Sequence, residues 1–382
     1  MSSPESLPTR PTTPRVNGHS PLSLAKGDLG IALAHSIQGS PPTIVHTWLS
    51  TALRDGITDG TGRAGLFHGL PAVAFVLART PAEHYRQARA TVREHLRRMT
   101  VHRLKVAHRR IDRGEVTSFA EYDLVSGLTG VGVAVWALEP DSPLLERVLS
   151  YLVRLTRPVR HEGRFLPGWW TRHGPLGHLD PDFPHGHANT GMAHGLGGIL
   201  SLLSLAYRDG RTVPAHREAL ETLIATLDES RFHDESGSWW PRWLTTDGSL
   251  RDARPGSPSW CYGAPGLARA QHLAALALGD EPRRRETEDA LTRTLTDRTA
   301  LGRIVDASLC HGWAGLVVLV RAVAADSPEP QRFSPLLEDL RTRLVDGMNH
   351  LSEPGLLEGR AGAQLALADP GGTDWTRLLL LT

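Results

Sequence analysis

One short pattern recurs seven times along this chain: a glycine, usually a second glycine three residues later, and then a run of small and apolar residues. The copies read KGDLGIALA, HGLPAVAFVLA, SGLTGVGVAVWAL, HGLGGILSLLSLA, YGAPGLARAQHLAAL, HGWAGLVVLVRAVA and EGRAGAQLALA. Their leading glycines are Gly27, Gly69, Gly127, Gly195, Gly263, Gly312 and Gly359, and only the copy at Gly69 has Ala72 in place of the second glycine. Internal repetition of this kind constrains the fold more than any local propensity. The post-glycine runs lack regular polar interruption, which predicts helices buried on most of their surface. The stretches between them, such as HREALETLIATLDES and RRRETEDALTRTLTDR, read as amphipathic surface helices. Repeat spacings of 42 to 68 residues leave room for one helix of each kind. The expected fold is therefore all-α, an α/α toroid (double α-helical barrel) of seven inner and seven outer helices. Both ends of the array carry the motif and neither looks like a polar cap, which favours closure over an open solenoid. The glycines are expected to start the inner helices, where chain segments converge and backbones approach closely. Any one of them is equally well read as a packing or turn glycine. In register they define a fold and name no chemistry.

A chain of 382 residues can bury a substantial core, and its formal net charge of +1 gives no reason to expect nucleic acid or a membrane surface as partner. The opening MSSPESLPTRPTTPR lacks the apolar stretch of a signal peptide, and no apolar run is long enough to span a bilayer. Residues 1–21 are expected to be a disordered tail, residues 22–382 one barrel domain, and the protein cytoplasmic.

The two cysteines, Cys261 and Cys310, each precede a motif glycine, in S-W-C-Y-G and L-C-H-G. In a closed barrel all motif starts face one end of the cavity, so Cys261, Cys310 and His311 are expected to converge although 49 residues separate the thiols. Two thiolates and an imidazole make a three-ligand zinc set with a fourth position open, the pattern of catalytic sites. Soft sulfur donors argue against magnesium or calcium. The alternative is two buried structural cysteines and an unrelated histidine. Zn²⁺ held by two thiolates carries roughly no net charge. A thiol arriving from a substrate would then lose its proton yet stay nucleophilic.

His194, in G-M-A-H-G-L-G-G, occupies the repeat position of Tyr262 and His311. There it is suited to protonate an enolate, or else is a structural histidine. His185 and His187 fall outside the repeat phase and read as loop residues. Asp123, four residues before Gly127, is a candidate to orient a histidine or handle a proton, with helix capping as the bland alternative. Tyr262 is a candidate hydrogen-bond donor to a developing enolate oxygen, and Trp260 a wall of the pocket.

The strings GMAHGLGG, SWCYGAPG and LCHGWAG resemble the signature motifs of the lanthionine synthetase C family, and the remaining glycine repeats match its sevenfold pattern over nearly the whole chain after residue 21. The resemblance implies an α/α toroid with zinc at one end, ligated by Cys261, Cys310 and His311. It implies His194 as the proton-handling histidine, Asp123 as its acidic partner and Tyr262 as an active-site residue. The implied reaction is Michael-type addition of peptide cysteine thiols to dehydroalanine or dehydrobutyrine, giving lanthionine and methyllanthionine rings. The implied partners are a dehydrated precursor peptide, a separate dehydratase and an exporter. An Arg- and Ala-rich composition points to the bacterial branch. One departure stands out: family members often carry an arginine a few residues before W-C-Y-G, whereas this chain reads G-S-P-S-W-C-Y-G, with Arg254 the nearest candidate.

Residues 80–115 hold ten Arg or Lys against four Asp or Glu, either a solvated helix face or a docking surface for an acidic leader peptide or the dehydratase, with Arg97, Arg98, Arg103 and Lys105 as its test positions. Trp239, Trp240 and Trp243 are candidates for an aromatic wall. Three rival readings remain: a carboxylate-based α/α-barrel enzyme such as a glycosidase, a peptide-binding scaffold without chemistry, and addition of glutathione or another thiol to a dehydroamino acid.

Overall fold

The computed structural model describes residues 7–11, 19–57, 64–234, 237–246, 255–370 and 374–382. Its principal helices, in chain order, are α1 (Asp28–Ile37), α2 (Pro42–Ala52), α3 (Leu70–Ala78), α4 (Arg86–Asp112), α5 (Leu128–Leu138), α6 (Pro143–Leu155), α7 (Leu196–Arg208), α8 (His216–Glu229), α9 (Ala264–Leu278), α10 (Glu281–Thr296), α11 (Trp313–Asp326), α12 (Ser334–Gly347) and α13 (Arg360–Ala368). Every odd-numbered helix follows one glycine motif, and in all seven the leading glycine is the N-cap residue. Successive odd-numbered helices touch, and α13 touches α1, so this inner layer closes into a ring. Each even-numbered helix packs on the inner helix before it.

The two layers differ as their sequences do. In α3 every residue from Leu70 to Leu77 is buried, because inner helices meet neighbours on all sides. In α6 only one face is buried, including Leu145, Val148, Leu149 and Leu152. Truncating one such buried leucine to alanine costs about 2–5 kcal/mol. Two outer helices start with side-chain caps where inner ones have glycine: Ser142 accepts from Leu144 N before α6, and Asp280 from Arg283 N before α10.

The second glycine of the motif has a common steric cause. A Cβ at Gly30, Gly130, Gly198, Gly266, Gly315 or Gly362 would lie 1.9–2.5 Å from the carbonyl oxygen six residues earlier, on Leu24, Leu124, Met192, Trp260, Leu309 and Leu356. Only glycine lets the first helical turn sit on its own incoming loop. The exceptional second copy enters its helix differently: Gly69 has φ of 74°, which re-routes the chain and leaves room for the buried Ala72 methyl.

The seventh inner helix is not followed by an outer α-helix among the described residues. A 3₁₀ segment, Asp374–Leu379, brings Leu378 to Leu381 into full burial instead. It is held from several sides of the inner ring: Trp260 Nε1 donates to Leu379 O at 2.9 Å, and the buried Arg269 donates to Leu381 O and to Asp326. Within the stretch expected to be a tail, Leu7 is buried, and Pro8 O accepts from His35 Nε2 at 2.9 Å and Trp48 Nε1 at 3.0 Å. No helix among the described residues is long and apolar enough to cross a membrane.

Among the described residues, three two-stranded ladders decorate the loops. They are β1 (Val159–His161) with β2 (Arg164–Leu166), β3 (Ala188–Asn189) with β6 (Trp243–Leu244), and β4 (Phe232–Asp234) with β5 (Gly237–Trp239). The β3–β6 ladder pairs Asn189 with Trp243 beside the glycine end of the barrel.

Candidate metal centre and active-site cavity

The loops that enter the inner helices are stitched to one another by backbone hydrogen bonds around the ring. Leu24 N donates to Phe67 O, Leu124 N to Ala193 O, Met192 N to Cys261 O, Cys261 N to Cys310 O, Cys310 N to Leu357 O, and Leu356 N to Leu24 O. At the remaining junction, between the second and third loops, the Arg103 guanidinium donates to Ala64 O at 2.6 Å and Ser126 O at 2.8 Å. This corrects the reading of Arg103 as a free docking charge: it clamps the ring, while Arg97, Arg98 and Lys105 are exposed.

The stitching explains why residues distant in sequence meet. Cys261 and Cys310 are neighbours because their own backbones are bonded, at 3.3 Å from Cys261 N to Cys310 O. Ligand atoms of Cys261, Cys310 and His311 all lie within 4.8 Å of one another, a group able to hold a metal ion. Both cysteines are free thiols. The Cys310 hydrogen bond, reinforced by His311, draws Cys261 down to about 5. The same pairing, together with burial, pushes Cys310 well above the ordinary thiol range. One negative charge is thus readily held here and the second is opposed. Two thiolates this close fit a divalent cation, which supplies the missing positive charge.

His311 Nε2 lies 2.7 Å from Asp306 Oδ2, leaving Nδ1 for a metal. That bond, with the neighbouring Cys261, raises the imidazole to about 10. Asp306 Oδ1 meanwhile accepts from Ser308 N at 2.7 Å, fixing the loop. Asp306 was not singled out in the sequence, although it stands six residues before Gly312 much as Asp123 stands four before Gly127.

The second group lies beside the first. His194 Nδ1 is 2.5 Å from Asp123 Oδ2, while Asp123 Oδ1 accepts from Ser126 N at 2.6 Å and Gly127 N at 2.8 Å. Asp123 therefore braces its own loop and orients a histidine at once; it does not cap the helix that follows, whose N-cap Gly127 has no side-chain cap bond. Burial alone would lower the His194 pKa, but the Asp123 hydrogen bond and charge outweigh it and raise it. The rings of His194 and Tyr262 are 6.1 Å apart. Asn189 Nδ2 donates to the Tyr262 hydroxyl at 3.2 Å, and burial pushes that phenol up to about 12, which keeps its proton available as a donor. Asn189 is a second residue the sequence did not betray.

A cavity of about 440 Å³ joins the two groups, and Cys261, Cys310, His311, His194, Tyr262 and Arg242 all line it. Trp260 forms part of its wall, as expected. The tryptophans of the WWPRW string do not line it. Trp239 and Trp240 are buried, and Trp240 Nε1 donates to Leu227 O at 2.8 Å; the residue this string sends to the cavity is its arginine. His187 is fully buried among the rings of Phe119, Phe183 and Trp243, and burial lowers its pKa to about 4. Arg254 lies outside the described residues.

A closed ring of glycine-capped helices with this Cys–Cys–His group at one end defines a class, and the chain belongs to it. A family model described as Lanthionine synthetase C-like protein matches residues 18–380, and the chain is a member of that family. The nisin biosynthesis protein NisC of Lactococcus lactis subsp. lactis is 22% identical over 276 residues, a match that takes in 68% of this chain and 64% of NisC. The chain thus aligns with a little under two thirds of the length of that relative. A solved nisin cyclase structure superposes with a TM-score of 0.75 at 21% identity, over 96% of this chain and 93% of that one. The superposition carries the fold, the α/α toroid read from the repeats.

Proposed function

We propose that this protein is a zinc-dependent lanthipeptide cyclase, adding cysteine thiols of a dehydrated precursor peptide to its dehydroalanine or dehydrobutyrine residues. The observation that carries the reading is the pairing, across one cavity, of a Cys–Cys–His group with a carboxylate-oriented histidine. Family membership supports it. So does the name of NisC, a nisin biosynthesis protein.

Zinc, when bound by Cys261, Cys310 and His311, would lower the pKa of a substrate thiol and keep it nucleophilic. The remaining work falls to the chain's own side chains. Sulfur bonds to Cβ of the dehydro residue, the Cα–Cβ π pair shifts toward Cα, and the carbonyl π pair moves onto oxygen. His194, whose pKa Asp123 raises, is suited to deliver the proton that Cα then takes up, and the proton lost by the thiol balances it. Tyr262, still protonated, is suited to donate toward the developing negative charge. The buried wall around Trp260 keeps bulk water from competing.

In this reading dehydration is the task of a separate enzyme, and the two thiols belong in a reducing cytosol. The test is metal content of purified protein, wild type beside Cys261→Ala and Cys310→Ala. About one zinc per chain, reduced to near zero in both variants, is expected. A wild-type protein that cannot take up zinc would sink the zinc-dependent mechanism.

A further inference from the structure

The cavity holds one permanent cation that the mechanism above does not use. Arg242 is the single arginine or lysine among the described residues that line it. Its backbone is fixed from both directions: Thr190 N donates to Arg242 O at 3.1 Å, and the next residue, Trp243, pairs with Asn189 in the β3–β6 ladder. Asn189 is the residue that hydrogen-bonds Tyr262. One two-stranded ladder therefore delivers both the amide and the guanidinium to the neighbourhood of the Tyr262 phenol. The side chain is half-buried, with its guanidinium 5.4 Å from the Trp243 ring centre and its Nε 4.0 Å from the position a Cβ would take on the cavity-lining Gly256.

Addition of sulfur to a dehydro residue moves a full negative charge onto that residue's carbonyl oxygen. With the thiol held among Cys261, Cys310 and His311, the charge develops inside the same cavity, which His194 and Tyr262 also line. Those two residues offer one transferable proton and one neutral donor. A guanidinium offers what they lack: a charge that does not titrate and a planar fork of N–H groups matched to an oxygen anion.

We propose that Arg242 is a further catalytic residue, holding the backbone carbonyl oxygen of the dehydroalanine or dehydrobutyrine and stabilising the enolate formed there. The assignment rests on the cyclase reading, and it makes Arg242 part of an oxyanion site whose other donor is Tyr262.

The experiment uses the full-length zinc-loaded protein and a panel of synthetic peptides, each with one dehydroalanine and one cysteine a few residues apart. Arg242→Gln is expected to retain zinc and to lower kcat on the order of 100-fold with a small change in KM. Arg242→Lys, which keeps the charge without the fork, should recover part of the loss. Guanidinium ion added to Arg242→Gly should restore turnover in a saturable way, a response that a folding defect would not give. If wild type closes rings and Arg242→Gln matches it in kcat, or loses only KM, the assignment falls while the cyclase reading stands. If neither guanidinium nor Lys recovers turnover, Arg242 is structural and the assignment falls again. If wild type closes no ring in any peptide, the cyclase reading falls and takes this one with it.

Discussion

Two aspartate–histidine pairs stand on the glycine end of the barrel, and they are built alike. In each, one carboxylate oxygen is spent on backbone amides of its own loop and the other on an imidazole from the position next to a motif glycine. Their surroundings differ. Asp123 and His194 have side chains 2% and 34% exposed, whereas Asp306 and His311 are 27% and 47% exposed. His311 follows Cys310 directly and faces a second thiol, while His194 follows Ala193 and faces Tyr262. In the proposed mechanism the same device would serve a metal ligand in one repeat and a proton donor in another. What separates them is one residue of sequence and the identity of the adjoining loop.

The comparison can be broken most severely by exchanging the roles. His311→Ala should lose metal and cyclisation together, whereas His194→Asn should keep about one zinc per chain and lose on the order of 10²- to 10⁴-fold in turnover. Elemental analysis beside a ring-closure assay checks both, and equal metal loss in the two variants would erase the distinction. A finer cut is made at the carboxylates. Asp306→Asn is expected to weaken zinc affinity by about 10- to 100-fold, measured by chelator competition, and Asp123→Asn to leave it unchanged while slowing proton delivery.

The pH profile gives a smaller effect with a definite sign. His194 must be protonated to act as donor, and its pKa lies above the ordinary histidine value because Asp123 outweighs burial. Cyclisation should therefore fall as pH rises through that raised value, and in Asp123→Asn, where burial is left unopposed, the fall should begin at lower pH. The linked stability follows the same sense: it is fully present below the unfolded pKa and lost as pH climbs through the folded one. The smallest contrast lies on α4. Arg97→Ala or Arg98→Ala should leave thermal stability within experimental scatter, since these exposed charges pair only with Glu94 on their own helix, whereas Arg103→Ala should cost on the order of 2–3 kcal/mol.

Much of this was legible in the sequence, for reasons the structure makes plain. The motif glycines signal the inner helices because each one is an N-cap where a side chain does not fit, six through close packing against neighbouring backbone and Gly69 through its positive φ. Cys261, Cys310, His311, His194, Asp123 and Tyr262 were legible because repeat phase places them at one end of a closed ring. Asn189 and Arg242 were not, because their partners are set by how one loop lies on the next, and Asp306 was not, because it meets His311 through the local turn of its own loop, which leaves no periodic signal. Arg242 reaches the cavity only through the pairing of β3 with β6, two strands of two residues each that carry no periodic signal. The return of the chain after α13 was hidden too: the LLLL run at 378–381 looks like an ordinary apolar stretch until the interior of the inner ring is seen to receive it.

That return has a consequence for the order of assembly. Trp260, the residue immediately before Cys261, is tied to Leu379, a contact spanning 119 positions of sequence. A ribosome must release everything through residue 379 before the first metal-ligand loop can take its final seat. Contacts of such long separation form late, after local helix pairs have collapsed. In the proposed zinc enzyme, metal capture then becomes the final event of maturation, and a chain stalled or clipped short of that point would hold folded helices but no finished site.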